Sequence, residues 1–345
     1  MCGFFGVYSK GKLVSEVKSE VIKAGQKISH RGPDDFGIYS DDHWCVYFRR
    51  LSIIDESELG HQPMLSEDGQ VVLVFNGEIY NFLELKKSLQ QSGHQFRGDC
   101  DTEVLLRAYI EYGVNCVDHL RGMFAFVVWD RRHQTLHVFR DRLGIKPFYI
   151  CRYGESVILS SEIKSILAYS PKLGKFNQKT IFKYLARGWV DNSNATFYED
   201  ISAVEPASVV SFSNRGIQKK IYWQLNPTSQ RRFEPDEFLN CFKETISLHL
   251  RSDVPLATTL SGGMDSSSIT AVASQQRDSR EKLHAFSVIP PQTLDESPWI
   301  DLTVKSTGIK HSYLDLEIPC MSTLFDEVLG IHDEPFQSSS CLYQY

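Results

Sequence analysis

The feature that most constrains this chain is a change in its hydrophobic pattern between residues 224 and 236. Before that point, short runs rich in Phe, Tyr, Val and Ile alternate with glycines and charged turn residues, which is typical of β-strands. Short turns between consecutive strands indicate antiparallel pairing, because parallel neighbours need a long crossover. We therefore predict an antiparallel α+β architecture, with strands at 3–9, 44–54, 70–80, 123–130, 135–141 and 146–154.

Helices occupy part of the sequence between these strands. Asn81 and Glu84 have the spacing of a capping box, which predicts the start of a helix. Within that helix, Leu83, Leu85 and Leu89 can share one apolar stripe. The helices predicted for this part of the chain lie at 14–28, 81–92 and 101–113.

A different architecture follows the polar, proline-containing linker at 224–236. The helical spacing of residues 237–250 places four apolar side chains on one face, namely Phe238, Phe242, Ile246 and Leu250. Apolar runs at 254–260 and 282–291 then enclose a Gly-rich turn and a helix-like stretch. Strand, turn, helix and strand in this order predict an α/β unit with a parallel sheet of the nucleotide-binding type.

The composition is that of an ordinary soluble globular protein, with 42% hydrophobic and 23% charged residues. A length of 345 residues makes two domains the default. A net charge of −6 gives no electrostatic basis for binding nucleic acid or an anionic membrane. No apolar stretch reaches the ~20 residues that span a bilayer, and we find no signal peptide, so we predict a cytoplasmic protein.

The cysteines are scattered along the chain and include no CxxC pair, which suits neither a zinc site nor a small disulfide scaffold. We predict reduced thiols, most of them acting as small apolar core residues. They are Cys2, Cys45, Cys100, Cys116, Cys151, Cys241, Cys320 and Cys341.

The turn SGGMDSS at 261–267 joins an apolar run to a helix that we expect to begin near Ser266. Gly262 and Gly263 permit positive φ and close approach of a phosphate, and backbone N–H groups at a helix N-terminus bind anions. Asp265 has the chemistry to hold a Mg²⁺ ion that bridges phosphate oxygens. The motif is not a Walker A loop, since no GK[ST] follows. The alternative is a capped strand-to-helix turn that binds no ligand.

SGGMDSS resembles the PP-loop of ATP pyrophosphatases, which split ATP into AMP and pyrophosphate and thereby adenylate a carboxylate or carbonyl. The resemblance implies ATP and Mg²⁺ as cofactors, with Asp265 as a metal ligand. By the same resemblance, Val288 at the end of the next predicted strand lies near the adenine. The residues implied for ATP binding are Leu260, Ser261, Gly262, Gly263, Asp265, Ser266, Ser267 and Val288.

The chain begins MCGFFGVYS, so removal of Met1 would leave Cys2 with a free α-amino group beside its thiol. The thiol and the α-amine titrate close together, so the amine can accept the thiol proton directly or through a water. Such a pair can act as nucleophile and base in amide hydrolysis. The alternative is that Cys2 is an ordinary small residue at an inactive terminus.

Further motifs follow Cys2-Gly3 in order, namely HRGPDDFG (30–37), RRLSIID (49–55), FNGEIYNF (75–82), DCDTEVLL (99–106), LRGMFAFVVWD (120–130) and RDRLGIKPFY (140–149). This part resembles the class II glutamine amidotransferases, whose nucleophile is an N-terminal cysteine. With SGGMDSS included, the whole chain resembles the glutamine-dependent asparagine synthetases. The resemblance implies an αββα sandwich of the N-terminal-nucleophile type at 2–210, followed at 235–345 by an incomplete α/β PP-loop domain.

The resemblance also assigns the chemistry. Cys2 would attack the side-chain amide of glutamine and form a thioester. The side-chain amide of Asn76 and the backbone N–H of Gly77 would form the oxyanion hole, in which each donor contributes ~3 kcal/mol. Three residues match a motif near the active site and receive no chemical step, namely His30, Arg31 and Asp34.

For the substrate, the resemblance implies that Arg50 binds the α-carboxylate and that Glu78 and Asp101 hold the α-ammonium group. Each assignment has a structural alternative. Residues 76–77 have the sequence of a hairpin turn. Arg50 could be a surface charge, and its neighbour Arg49 leaves the register open. Asp101 could simply cap the helix that follows it.

Two features depart from the family pattern. Family members continue with a second motif, similar to SGEGxDE, that completes the Mg²⁺ and phosphate site, and this chain has none. We therefore expect the synthetase half to be incomplete, as in a fragment or one part of a split enzyme. In DEPFQSSS (333–340), Gln337 replaces a smaller residue, which resembles relatives that amidate a sugar carboxylate in surface polysaccharides. Neutral loop variation explains Gln337 equally well.

The implied partners are glutamine, aspartate or another carboxylate acceptor, and ATP, with no nucleic acid and no membrane. The sequence does not decide whether the chain forms a homodimer. Ammonia released at Cys2 would pass through an internal channel to an acyl-adenylate and displace AMP. The alternatives are a sugar-carboxylate amidotransferase, a glutaminase alone, and an inactive regulatory module. The intact set of Cys2, Asn76, Gly77 and Asp101 argues against the inactive module.

Overall fold

The computed structural model describes residues 1–11, 16–226, 232–276, 283–288, 295–314, 321–338 and 341–342. The chain divides into two compact units. The first unit comprises residues 1–226 and 332–337, and the second unit comprises residues 227–331 and 338–345. The first contains two antiparallel sheets and the second contains a parallel sheet.

The strands of the first unit are β1 (Gly3–Ser9), β2 (Asp35–Ser40), β3 (Trp44–Arg50), β4 (Met64–Leu65), β5 (Val71–Ile79), β6 (Gly122–Asp130), β7 (Thr135–Arg140), β8 (Tyr149–Tyr153), β9 (Ser156–Ser160), β10 (Ile201–Ala203), β11 (Ser208–Ser213) and β12 (Gly216–Ile221). They form six-stranded sheets in the orders β10-β8-β9-β1-β3-β2 and β12-β11-β7-β6-β5-β4. The pairing is antiparallel, as predicted. The two sheets pack face to face, with Phe4 and Trp44 of one in the same core as Val74 and Trp129 of the other.

Helices cover the outer faces of both sheets. They are α1 (Val17–Gly25), α2 (Phe82–Gln91), α3 (Asp101–Tyr112) and α4 (Ile163–Tyr169). A further helix, α5 (Gln178–Arg187), has no buried residue. Val21 of α1 and Ile166 of α4 pack in a core behind the sheet that contains β1. Leu89 of α2 and Leu105 of α3 pack behind the sheet that contains β5. The first unit is therefore an αββα sandwich, as the family resemblance implies.

Two details of the predicted helix 81–92 are wrong. Asn81 precedes α2 but makes no cap bond, because its Nδ2 donates to the His119 carbonyl at 2.9 Å and its Oδ1 accepts from the Arg121 N–H at 2.8 Å. These distant backbone groups replace the local partners of a capping box. Leu83 is 48% exposed, whereas Leu85 is buried, so the apolar stripe is narrower than predicted.

The second unit contains α6 (Pro235–His249), β13 (Leu256–Thr259), α7 (Met264–Ser274), β14 (Leu283–Val288), α8 (Ser297–Thr307), β15 (Lys310–Leu314) and most of α9 (Met321–His332). Its strands pair in parallel in the order β13-β14-β15, which confirms the α/β prediction. Ile246 of α6 packs against Leu260 and Ala285, while Phe238 at the other end of the predicted apolar face is 58% exposed.

Parts of several sequence predictions lie outside the described residues. They include residues 14–15 of the predicted helix 14–28, positions 227–231 of the predicted linker, the ends of the apolar run 282–291, Cys320, and residues 339–340 of the stretch 333–340. Within the described ranges, no helix combines the length and the apolar character needed to cross a membrane.

Candidate functional site

One cavity of the first unit, with a volume of ≈ 490 Å³, collects the residues predicted to hold glutamine. It forms where the residue before β1 meets the end of β3, the end of β5 and the start of α3. The predicted residues that line it are Cys2, Arg50, Asn76, Gly77, Glu78 and Asp101. The cavity is also lined by Lys146, to which the sequence analysis assigned no role.

The side chain of Asn76 leaves its hydrogen-bonding capacity unused. Asn76 is 0% exposed, and neither its Oδ1 nor its Nδ2 has a partner among the described residues. Buried amides are nearly always bonded, because an unpaired one costs about 1–3 kcal/mol. Its position within β5, opposite Ala125 of β6, fixes the backbone that carries it. A donor held in this way suits an oxyanion that forms only during a reaction.

Gly77 follows in the same strand, so the hairpin-turn alternative for residues 76–77 is wrong. Gly77 pairs with Phe124 of β6. A Cβ atom at Gly77 would lie 2.1 Å from the carbonyl oxygen of Met123, far inside contact distance. Only glycine lets the two strands approach this closely beside the cavity.

The Cys2 thiol is hydrogen-bonded to the backbone of Leu51, the residue that follows β3. Its Sγ donates to the Leu51 carbonyl at 3.6 Å and accepts from the Leu51 N–H at 3.4 Å. Burial raises the pKa of the thiol. Burial also lowers the pKa of the terminal amino group, here that of Met1, and the charges of Arg31 and Lys146 lower it further. Both shifts favour the uncharged forms of the two groups, which suits a nucleophile and a base that exchange a proton.

The structure separates the two neighbouring arginines. Arg50 is 5% exposed and lines the cavity, so it is not a surface charge. Its Nη1 donates to the Ser57 carbonyl at 2.8 Å, and its Nη2 contacts the Asp55 carbonyl. The guanidinium of Arg49 instead lies over two aromatic rings, 5.2 and 5.4 Å from their centroids. Of the two, Arg50 is the one placed to meet a carboxylate in the cavity.

Asp101 is the first residue of α3 and does not cap that helix. Its Oδ2 accepts from the Ile79 N–H at 3.0 Å, and the cap position is occupied by Cys100. Burial raises the pKa of Asp101 to about 7, and the nearby charge of Glu78 contributes to the shift. The two carboxyl groups therefore supply negative potential in one part of the cavity, which suits an ammonium group.

The HRGPDD motif contacts the main chain around Cys2 and Ser52. Arg31 donates from Nε to the Cys2 carbonyl at 2.8 Å. Asp34 accepts from the Ser52 N–H at 2.7 Å, and His30 lies with Nε2 3.0 Å from Oε1 of Glu162. The contacts of Arg31 and Asp34 hold the backbone at Cys2 and Ser52, whereas His30 contacts a side chain.

The RDRLGIKPFY motif builds the loop that carries Lys146. Asp141 is 1% exposed, and its carboxylate accepts from the backbone N–H groups of Phe124, Leu143, Ile145 and Lys146 at 2.9–3.2 Å. Arg140 donates from Nε to the Lys146 carbonyl at 3.0 Å. The sequence signal for this arrangement is an Arg-Asp pair before a loop that contains Gly144 and Pro147, and its role was not predicted.

In the second unit, SGGMDSS connects β13 to α7, and the helix begins at Met264 rather than near Ser266. Ser266 Oγ lies 2.9 Å from Ser261 Oγ and accepts from the Ser261 N–H at 3.1 Å. Gly263 has φ −73°, and Gly262 is also outside the left-handed region, so neither glycine uses the positive φ that its type permits. These glycines lack a side chain, which permits close approach of a phosphate to the backbone.

The ends of β13 and β14 lie beside this turn. The Leu260 N–H donates to the Phe286 carbonyl at 2.8 Å, and the Ser287 hydroxyl donates to the Leu260 carbonyl at 2.6 Å. Val288 is the last residue of β14 and therefore lies at the same sheet edge as the turn.

The turn has the donors that a phosphate requires, because serine hydroxyls and backbone N–H groups converge before the 11-residue helix α7. Both glycine N–H groups have partners in the structure: that of Gly262 donates to Oε2 of Glu296 at 2.9 Å, and that of Gly263 donates to Oγ of Ser261 at 3.3 Å. Asp265 is exposed in the first turn of α7, and the described residues contain no cluster of three metal-binding side chains. A single exposed carboxylate of this kind could serve Mg²⁺ only as one ligand beside phosphate oxygens and water.

Comparison with known proteins gives two family matches. The model of the glutamine amidotransferase domain matches residues 1–223, and the asparagine synthase model matches residues 237–345. Asparagine synthetase (glutamine-hydrolyzing) 3 of Bacillus subtilis is 34% identical over 97% of this chain and 57% of its own length. Asparagine synthetase (glutamine-hydrolyzing) 1 of the same organism is 38% identical over 96% of this chain and 54% of its own length.

A protein of Methanocaldococcus jannaschii, provisionally named asparagine synthetase (glutamine-hydrolyzing) 2, is 35% identical over 97% of this chain and 69% of its own length. The chain thus spans 54–69% of these three relatives. Among solved structures, an allosteric regulatory enzyme of purine biosynthesis matches with a TM-score of 0.52 and 14% identity, over 99% of this chain and 91% of that one. That likeness shows the fold alone. From the domain matches and the relatives, the chain belongs to the family of glutamine-hydrolysing asparagine synthetases.

Proposed function

We propose that the first unit hydrolyses the side-chain amide of glutamine at Cys2, and that the second unit takes part in ATP-dependent amidation of aspartate to asparagine. The observation that carries the hydrolysis is the buried, unpaired amide of Asn76 in the cavity that Cys2 lines. The names of the relatives support aspartate as the acceptor over a sugar carboxylate.

The first half of the reaction forms the thioester. Once Met1 is removed, the α-amine of Cys2 takes the thiol proton, and the sulfur attacks the amide carbon of glutamine. The carbonyl oxygen then becomes an oxyanion. The Nδ2 of Asn76 and the N–H of Gly77 donate to it, and each donor contributes ~3 kcal/mol to the transition state. The protonated amine gives its proton to the leaving nitrogen, and ammonia departs.

The second half restores the enzyme. A water molecule gives a proton to the neutral α-amine of Cys2 as its oxygen attacks the thioester carbon. The carbon–sulfur bond breaks, glutamate leaves, and the sulfur regains its proton from the amine. Arg50 holds the α-carboxylate of the substrate, while Glu78 and Asp101 hold its α-ammonium group, so the amide is presented to the sulfur in one orientation.

In the second unit, we assign phosphate binding to the N–H groups of Gly262 and Gly263 and to three hydroxyls, those of Ser261, Ser266 and Ser267. Asp265 would hold Mg²⁺, and Leu260 and Val288 would lie near the adenine. The N-terminus of α7 and the convergent serine hydroxyls support this assignment. When bound, ATP would activate the acceptor carboxylate by transfer of AMP.

The experiment supplies glutamine, aspartate and Mg·ATP and assays both glutamate and asparagine. We expect glutamate from the wild type and from Cys241→Ala, which removes an exposed cysteine of the second unit. Cys2→Ala should release no glutamate. If the wild type makes asparagine, Cys2→Ala should also make it when ammonium is supplied in place of glutamine. Glutamate release from Cys2→Ala equal to that of the wild type would contradict the proposal. A uronic acid in place of aspartate tests the alternative acceptor.

A further inference from the structure

Asp333 lies in the first unit, although it falls within the part of the sequence, residues 237–345, that matches the asparagine synthase model. Its side chain is 8% exposed. Its Oδ2 accepts from the backbone N–H of Lys164 at 3.0 Å, and its Oδ1 lies 3.4 Å from Lys164 Nζ. Asp333 also adopts a left-handed backbone conformation with φ 64°, which is costly for a residue other than glycine. A residue keeps such a costly backbone conformation where the surrounding contacts hold it in place.

Lys164 also contacts a second buried carboxylate. Its Nζ contacts Oε2 of Glu162, whose side chain is 8% exposed. The other oxygen of Glu162, Oε1, accepts from Arg31 Nη1 at 2.8 Å. Positive and negative charges therefore alternate through four side chains that are at most 20% exposed. We call Asp333, Lys164, Glu162 and Arg31 the ion-pair network.

Arg31 joins this network to the nucleophile. Its Nε donates to the carbonyl oxygen of Cys2, so the guanidinium holds the main chain of Cys2 on one side and Glu162 on the other. A Cβ atom at Gly3 would lie 2.8 Å from Cδ of Arg31, which shows how closely the arginine packs on the residue after Cys2. Glu162, Lys164 and Asp333 do not line the glutamine cavity described above.

We propose that Asp333, Lys164 and Glu162 are positioning residues that fix Arg31 and, through it, the main chain of Cys2. The inference rests on the proposed glutaminase activity. Buried charges are tolerated when they are paired, so removal of one carboxylate takes a partner from the neighbouring cation and weakens the hold on it. A nucleophile displaced by about 1 Å can lose about 100-fold in rate. Since none of its four residues lines the cavity, loss of the network should change kcat and leave KM largely unaltered.

The test compares Glu162→Gln, Asp333→Asn and the double variant in the full chain. Glutamate release gives kcat and KM, and peptide mass spectrometry follows alkylation of Cys2 by iodoacetamide. The matched control is Glu334→Gln, because the Glu334 carboxylate accepts from the Phe197 N–H and does not contact Lys164 in the described contacts.

Each single variant should lower kcat about tenfold, with KM within about twofold of the wild type. The double variant should be no slower than the slower single variant, because both act through Arg31. Alkylation of Cys2 should change in the same variants, while Glu334→Gln should match the wild type in both measurements. Asp333→Glu, which keeps the charge, should recover part of the rate.

Additive losses in the double variant, or an Asp333→Asn protein that behaves like Glu334→Gln, would overturn the inference. If the wild type releases no glutamate, the proposed function fails, and the alkylation rates still test the positioning of Cys2. If Glu162→Gln does not fold, Lys164→Gln replaces it, because Lys164 is the most exposed member of the network. An unchanged Cys2 alkylation rate in that variant would overturn the inference in the same way.

Discussion

The buried side-chain amide of Asn76 and the thiol of Cys2 line the same cavity, and the amide has no hydrogen-bond partner among the described residues. Folding normally pairs such a group, since leaving it unpaired destabilises the native state. The arrangement is explained if the partner is an oxygen of the substrate. Removal of a group that is kept unpaired for a reaction should lower the reaction rate but should not lower the stability of the native state.

Asn76→Ala should lower kcat for glutamine hydrolysis about 100-fold and change KM less than about threefold, because the lost donor acts on the oxyanion. Its melting temperature should not be lower than that of the wild type, since no protein hydrogen bond is lost. Steady-state kinetics and thermal melting measure both effects. Asn115→Ala, at an exposed position, is the control. A large loss of stability together with normal kcat would contradict the assignment.

Gly60→Ala tests the role of Arg50 without changing Arg50 itself. A Cβ atom at Gly60 would lie 1.9 Å from Arg50 Nη2, so the guanidinium has to move. We expect KM for glutamine to rise about tenfold with a smaller change in kcat, because the α-carboxylate loses its bidentate partner. The matched control is Gly330→Ala, since an added Cβ there meets nothing within 4 Å. Equal KM values in the two variants would argue against the role of Arg50.

The buried carboxyl group of Asp101 predicts a pH dependence of substrate binding. Burial raises the pKa of Asp101 to about 7, so the group is ionised above that pH and becomes neutral as the pH falls through it. The neutral form cannot attract the α-ammonium of glutamine. KM should therefore rise as the pH is lowered from about 8 to about 6. In Asp101→Asn, KM should be high throughout, and a wild-type KM that is flat over this window would refute the role.

Asp141→Asn should destabilise the first unit. The carboxylate of Asp141 accepts from four backbone N–H groups, and an amide side chain cannot accept all four. We expect the free energy of unfolding to fall by about 3 kcal/mol, measured by urea denaturation. Asp118→Asn, at an exposed site, should stay within about 0.5 kcal/mol of the wild type. Similar stabilities for the two variants would show that the loop does not depend on Asp141.

The strands of the first unit were predictable because alternation of apolar residues is a local signal. The long strand β5 and its antiparallel partner β6 follow directly from their Val- and Phe-rich sequences. Shorter elements were missed, such as β2, in which polar residues and a glycine interrupt the apolar residues, and β4, whose two residues are too few to show an alternation. Their pairing depends on neighbouring strands that a local pattern does not contain.

The candidate site depended on a different kind of information. Periodicity predicts where Asn76 and Asp101 lie in their own elements, and the family resemblance predicted that they belong with Cys2. The contacts that hold the site are long-range, and Arg31 and Glu162 are 131 residues apart in the sequence. The capping box at Asn81 was wrong for the same reason, since His119 and Arg121 supply the partners of its side chain.

The most direct test of the account uses a glutamine analogue that carries an electrophilic carbon in place of the side-chain amide. The protein is digested after reaction, and the site of covalent addition is read by peptide mass spectrometry. We predict a single addition, on a peptide that begins with Cys2 and lacks Met1, together with complete loss of glutamate release. Addition at Cys100, which lines the same cavity, or full glutaminase activity in a protein that retains Met1, would contradict the assignment of Cys2 as the nucleophile.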